Sequence, residues 1–392
     1  MNVCIIFYNL GGYHLSRLAA ARLSCEQRGW RLTAIEITRS TTEHPWGTLD
    51  LPAYVTTLVD QQPGDRPNLP DLKLLDAALN KLAPDAVAVP GWGHNFARRA
   101  LLWCRANDRA AVLMCESKRD DAPRNWLKEL WKKWRYVRRF DAALVGGQKH
   151  ADYLVQLGMK PDQIFYRYDV VDTDFLVAEV DRLRRSAPAK RPLAVGDRPY
   201  ILSVNRFIDR KNLLTLIDAF CQAIQADGHD WDLVLLGAGT QESTLRNRVQ
   251  ELGLSDRIHF PGFCSYSDIV KWYAFAEIFV HPAMAEQWGL VVNEAMAAEL
   301  PIVLSNACGC HPDLLEEGQN GFSFSPDDTS TLMTHLQQLM DDESGRKRMG
   351  QRSRKIVVDQ FSPAEFGNGL CNAVAAALED RQFKVRAVYF LS

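Results

Sequence analysis

Glu286 and Glu294 stand eight positions apart in "EQWGLVVNE", a mostly apolar run, and Arg206 and Lys211 stand together in "NRFIDRKN". Carboxylates accept hydrogen bonds from hydroxyl groups, and paired cations neutralise phosphate. Were all eight steps between the acids helical, they would span about 12 Å at roughly 1.5 Å per residue. The paired acids of a retaining hydrolase stand only about 5–5.5 Å apart, so these two are not expected to share one bond. Gly289 argues against an unbroken helix, which places Glu286 in a loop and Glu294 in a helix beginning near Gly289. The wide span suits the two ends of a nucleotide sugar, one acid toward ribose and the other toward the sugar. The diphosphate would lie between them, against the N–H groups of the helix start.

Such residues need a scaffold, and the chain alternates short apolar runs with helical patterns. "VCIIFY", "RLTAIEI", "PDAVAVPGW", "AAVLMCES" and "DAALVGG" read as strands of a first domain. "YILSVNRF", "WDLVLLGAG", "IHFPGF", "IFVHPA" and "PIVLSNA" read as strands of a second. Continuous apolar strands separated by helices predict parallel sheets covered on both faces. The fold class is therefore α/β, with two Rossmann-like domains expected to face a central cleft. Domain limits are expected at 1–180 and 199–362, with 181–198, basic and rich in Pro and Ala, as linker. A C-terminal helix and tail, 363–392, is expected to pack back on the first domain. Ligands of such sheets bind beyond the carboxyl ends of the strands. Those positions hold Arg206 and Lys211, the "GAG" turn with Gly237 and Gly239, Phe263 after "IHFPG", and Glu286. Each alone has a bland reading, as surface charge or turn, and a lone GxG is weak evidence of a phosphate site. Recurrence at successive strand ends is what gives them weight.

Composition narrows the classes. The 392 residues are 47% hydrophobic and 24% charged, with net charge −2. That profile fits soluble globular domains and gives no signature of nucleic-acid binding. No apolar run reaches the roughly 18 residues of a spanning helix, and the start lacks a signal-peptide pattern. Nine scattered cysteines fit reduced thiols in the cytoplasm. Cys308-Gly309-Cys310-His311 lacks a second ligand pair, and no metal is expected there.

"VNRFIDRKN", "LLGAG", "IHFPGF" and "HPAMAEQWGLVVNEAMAAELPIVLSNACGC" resemble the retaining family-4 (group 1) glycosyltransferases of the GT-B fold. The resemblance is strong from Tyr200 to Phe324 and looser over the first domain, through Gly11-Gly12 and "PDAVAVPGW". It implies that Arg206 and Lys211 neutralise the donor diphosphate, that Glu294 binds ribose, and that Glu286 acts near the transferred sugar. It also implies that Gly289 and Leu290 offer backbone donors and that Gly11 and Gly12 form a loop over the donor. Transfer would retain configuration, with no metal or other cofactor, the nucleotide sugar being substrate. "DTD" at Asp172–Asp174 looks like a metal motif of another transferase fold but falls where this family has a short "N-x-V-D" turn. The chain departs from the family after "AVLMC": many relatives carry a His where this chain has Glu116 and Ser117. Glu116, or His94 after the preceding strand, is the candidate acceptor or sugar contact. Rival readings are a GT-B sugar-nucleotide epimerase and a non-catalytic nucleotide-sugar-binding module.

"RNWLKELWKKWRYVRRF", residues 124–140, carries Leu127, Leu130, Trp131, Trp134 and Val137 at helical spacing among Lys and Arg. A core-facing stripe with a solvated back competes with a surface that docks on anionic membrane and reaches a lipid-linked acceptor. The partners expected are a nucleotide sugar, a glycan or lipid-linked acceptor, and a membrane's inner face touched through 124–140.

Overall fold

The computed structural model describes residues 1–39, 50–59, 72–121, 124–186, 192 and 196–391. The chain divides into two compact units, one formed by Met1–Val171 with the segment from Pro363, the other by Asp172–Ser362.

The first unit is built on seven strands: β1 (Asn2–Phe7), β2 (Arg31–Thr38), β3 (Val55–Val59), β4 (Ala86–Pro90), β5 (Ala110–Cys115), β6 (Ala142–Val145) and β7 (Ile164–Tyr166). Their order is β3-β2-β1-β4-β5-β6-β7, and every pair is parallel. All six side chains of β5 and all four of β6 are buried. Strands covered on both faces in this way require unbroken apolar runs, the pattern visible in "AAVLMC" and "AALV".

One cover is the helix Pro363–Leu391, which packs on the helix Gly12–Gln27. Phe366, Leu370, Cys371 and Val374 are buried there, and Cys371 Sγ lies 3.6 Å from Cys25 Sγ. None of the nine cysteines forms a disulfide.

The second unit has six strands: β8 (Tyr200–Val204), β9 (Asp232–Leu236), β10 (Ile258–Gly262), β11 (Ile278–His281), β12 (Ile302–Ser305) and β13 (Gly321–Phe324). Their order is β10-β9-β8-β11-β12-β13, again parallel throughout. The chain winds from β8 through β9 to β10, then returns past β8 to place β11 on its other side. The gap between β8 and β11 is thus the point where strand order reverses, the usual ligand crevice of an open parallel sheet. In the first sheet β1 and β4 hold the equivalent place.

The boundary between units differs from the expected 180/181. The helix Thr173–Arg185 belongs to the second unit. It buries Leu176, Val180 and Leu183, and Arg184 donates to the carbonyls of Ala274 and Ala298, both at 2.8 Å. An apolar helical stripe needs a partner face, and the helix Tyr266–Phe275 supplies it, Phe175 stacking on Tyr266 at 5.8 Å. Of the expected linker, 187–191 and 193–195 lie outside the described residues. Asp172 of "DTD" caps this helix, accepting a 3.1 Å bond from Phe175 N–H.

Phe366→Ala should test the C-terminal cover. Removing a fully buried ring is expected to destabilise the first unit by about 3–5 kcal/mol. Urea unfolding of the full chain followed by intrinsic fluorescence measures it. An unchanged midpoint would mean that this helix contributes nothing to the core.

Candidate functional site

The site of the second unit starts from the neighbours β8 and β11. After β8 the chain passes Asn205 and the exposed Arg206, then makes a single 3-10 turn at Asp209–Lys211. After β11 it makes the loop that carries Glu286. Because the strands are adjacent and parallel, both loops emerge at the same sheet edge, and the Lys211 ammonium donates to Glu286 Oε2. Only 10% of the lysine side chain and 13% of the glutamate's are exposed, so the pair is largely withdrawn from water. His281, the last residue of β11, is fully buried, with Nε2 3.5 Å from the same Oε2.

Burial alone would raise the Glu286 pKa. The His281 contact and the Lys211 charge outweigh burial and hold this carboxyl well below the usual range. Burial lowers the pKa of His281, with the Lys211 charge adding to that and the Glu286 contact opposing it. At neutral pH Glu286 is therefore a carboxylate and His281 a neutral imidazole.

Gly289 then explains how the loop meets its helix. It sits at φ 107° as N-cap of the helix Leu290–Ala297, a conformation that disfavours any side chain. A Cβ there would lie 3.5 Å from Glu286 Cγ and from His281 Nε2, so the glycine sits directly against the cluster. Leu290 opens the helix, and in its first turn Val292 N–H donates to Gly289 C=O at 2.8 Å. Glu294 lies inside it, buried, and accepts a 2.6 Å bond from Tyr273 O–H. Trp288 is buried with its indole N–H on Asn293 Oδ1 at 2.9 Å. It is a structural pin of the loop. The loop is also paired to the "ACGC" turn, Gly309 N–H donating to Glu286 C=O at 3.0 Å. Cys308 and Cys310 are buried in that turn.

The "GAG" turn proves to have a packing reason. A Cβ on Gly237 would meet Asn205 C=O at 1.9 Å, and one on Gly239 would meet Phe207 C=O at 2.4 Å. Phe207 N–H donates to Ala238 C=O at 2.9 Å, so the turn is zipped onto the loop that carries Arg206. Its glycines thus shape the Arg206 loop. Phe263, 75% exposed, follows the edge strand β10, two strands away from β8, and is not drawn into the Lys211–Glu286 cluster.

In the first unit Gly11 caps the helix Gly12–Gln27 after β1, its N–H donating to His14 Nδ1 at 2.9 Å. His94 caps the helix Asn95–Ala106 after β4, is exposed, and stacks on Tyr8 at 5.3 Å. Gly11, Gly12 and His94 thus flank that sheet's own reversal point. Glu116 follows β5, beside the buried Asp169, whose carboxyl is pushed well up by burial and the Glu116 charge, with Arg17 opposing. Arg17 Nη2 lies 3.9 Å from Asp169 Oδ1.

His281, Tyr273, Asn205, Arg17 and Asp169 were not singled out from sequence. His281 had a usable signal, the only polar end to the apolar strand "IFVH". Asn205, buried with Oδ1 lacking a hydrogen-bond partner, had one in its place just after β8. The other three are brought in by packing. Among the described residues no group of three or more His, Cys, Asp or Glu is arranged to hold a metal ion.

The arrangement is that of a GT-B glycosyltransferase fold, in which two Rossmann-like units each carry a strand-order reversal. Residues 186–356 match the family model for glycosyl transferases group 1. Alpha-D-kanosaminyltransferase of Streptomyces kanamyceticus is 25% identical over 240 residues, covering 61% of each chain. Lipopolysaccharide core biosynthesis glycosyltransferase LpsE of Rhizobium meliloti is 29% identical over 228 residues, covering 58% of this chain and 62% of that protein. The matches therefore span about three fifths of each relative's length. Anabaena HepE in complex with UDP superposes with a TM-score of 0.72 at 17% identity, covering 96% of this chain and all of that one.

Lys211→Met should leave Glu286 a largely buried carboxylate without its main counter-charge, at a cost of about 3 kcal/mol at pH 8. In the wild type the depressed Glu286 pKa means that the pairing stabilises fully above the ordinary carboxyl range and less as pH falls below it. The difference between variant and wild type should therefore shrink at pH 4–5, where Glu286 of the variant takes up a proton. Urea midpoints at both pH values measure it, and a pH-independent gap would refute the pairing as the cause.

Proposed function

We propose that the chain is a retaining glycosyltransferase. It moves a hexose-type sugar from a UDP- or GDP-type donor to a hydroxyl of a glycan or glycolipid. The observation that carries the reading is the Lys211–Glu286 pair at the strand-order reversal, with exposed Arg206 on one side and the N-terminus of the helix Leu290–Ala297 on the other. The family match over 186–356 supports it, as do relatives named as glycosyltransferases and a structural neighbour bound to UDP.

Loss of a diphosphate leaving group places growing negative charge on its oxygens. Arg206 and Lys211 supply positive charge there, and the start of the helix Leu290–Ala297 adds a fixed dipole. A donor phosphate near Lys211 would share its ammonium with Glu286, freeing carboxylate lone pairs to accept hydrogen bonds from the sugar. Glu294, held by Tyr273, offers its carboxylate to ribose hydroxyls. With no other base required, the departing phosphate takes the acceptor hydroxyl's proton on the face it leaves, which retains configuration. The charge balance needs no metal ion.

A panel of UDP- and GDP-sugars, scored by thermal stabilisation and by slow release of nucleotide, tests the donor. One donor is expected to stabilise and turn over, and Arg206→Ala to slow its turnover by about 10²–10³-fold. If no nucleotide or nucleotide sugar binds, the reading is wrong. With an acceptor found, proton NMR of the first-formed product reads the anomeric configuration, and an inverted product would rule out retention.

A further inference from the structure

The helix Trp126–Arg135 lies on the first unit with its polarity reversed. At about 100° per residue, Trp126, Leu130, Trp134, Leu127 and Trp131 fall within an arc of roughly 140°. A helix with that pattern ordinarily buries the arc. Here those five are 72%, 46%, 60%, 56% and 54% exposed, and no residue of the helix is buried. The polar side faces the protein instead. Glu129 accepts a 2.6 Å bond from Tyr153 O–H, and Lys132 Nζ lies 2.8 Å from Glu129 and 3.2 Å from the Tyr153 oxygen. Asn125 caps the helix with bonds to Leu127 N–H and Lys128 N–H, so its start is fixed. Of the expected core-facing stripe only Val137, in the following 3-10 turn, is buried.

Cations border the exposed arc. Lys128 and Arg135 follow Trp131 around the helix, and Lys133 precedes Trp126. Beyond the helix end, the Arg138 guanidinium lies 4.3 Å from the Trp134 ring. The helix's one acid, Glu129, is already paired with Lys132. Three tryptophans on an exposed face, rimmed by lysine and arginine, match the boundary between lipid headgroups and acyl chains, where indole rings settle and anionic lipids attract cations.

We propose that the helix Trp126–Arg135 docks the protein flat on an anionic membrane surface, with Trp126, Leu127, Leu130, Trp131 and Trp134 entering the headgroup region. Among the described residues no helix is long and apolar enough to cross a membrane, so the contact is peripheral. It stands independently of the transfer chemistry proposed above, and suits it by holding the enzyme at the surface where a lipid-linked acceptor would lie.

The test uses the full chain with sedimented vesicles of phosphatidylcholine alone or of phosphatidylcholine mixed with anionic phosphatidylglycerol, whose surface attracts polybasic segments. The wild type should partition onto anionic vesicles about tenfold or more better than onto neutral ones and lose binding at high salt. Trp126→Ser/Trp131→Ser/Trp134→Ser should lose about tenfold or more of the partitioning. Lys128→Glu/Arg135→Glu should abolish the preference for phosphatidylglycerol. Both variants should keep wild-type thermal stability and nucleotide-sugar stabilisation, since neither touches the second unit. Equal, weak partitioning of wild type and tryptophan variant onto both vesicles would overturn the proposal. So would a concentration-dependent dimer on gel filtration that the tryptophan variant abolishes, because the face would then be covered by a second copy.

Discussion

A single crossing in the second sheet governs the site. After β10 the chain must return past β8 to lay down β11, and the two strands that then stand side by side carry their loops away on opposite courses. The crevice left between them is spanned by the Lys211–Glu286 ion pair, with His281 sealed beneath it. Neither charge would be tolerated at that depth alone, because desolvation of one unpaired ion costs several kcal/mol. The pair therefore holds two loops to each other. Other features follow from it: Gly289 is the turn that lets the loop close against the pair, and the helix start is aimed by that turn.

The backbone around this pair is strongly constrained. The "GAG" turn, the Arg206 loop, the Glu286 loop and the "ACGC" turn are joined by main-chain hydrogen bonds from strand end to strand end. Arg206 itself stays exposed, a solvent-facing charge mounted on a hydrogen-bonded backbone. This division of labour suits leaving-group stabilisation, in which preorganised dipoles gain most from being fixed before the reaction begins.

The first unit carries a different chemistry beyond its strand ends. The stacked Tyr8–His94 pair and the Glu116–Asp169 carboxyl groups are aromatic and acidic, with Arg17 the buried counter-charge. Aromatic faces and carboxylates are groups that recognise hydroxyl-rich ligands, whereas the second unit offers cations and backbone N–H groups that suit phosphate. The same unit also carries the reversed amphipathic helix, held to the domain through Tyr153, Glu129 and Lys132.

Much was legible in the order of residues. Unbroken apolar runs such as "AAVLMC" and "WDLVLL" have no stable place except a sheet covered on both faces, so they determined the α/β class and the strand-end positions of Arg206, Lys211 and Glu286. Gly289 likewise determined that Glu286 and Glu294 lie on opposite sides of a helix start. Three matters were decided only by tertiary structure. Which strand ends are neighbours depends on sheet order, so the meeting of Lys211 with Glu286, 75 positions further on, could not be read from the order of residues. Whether a glycine serves a ligand or a close backbone approach depends on what lies opposite it, and Asn205 lies opposite Gly237. Finally, helical periodicity shows that Trp126, Leu130 and Trp134 share a face, but it carries no information on which way that face turns. That was set by Tyr153, which takes the polar side for itself and leaves the apolar side to the solvent.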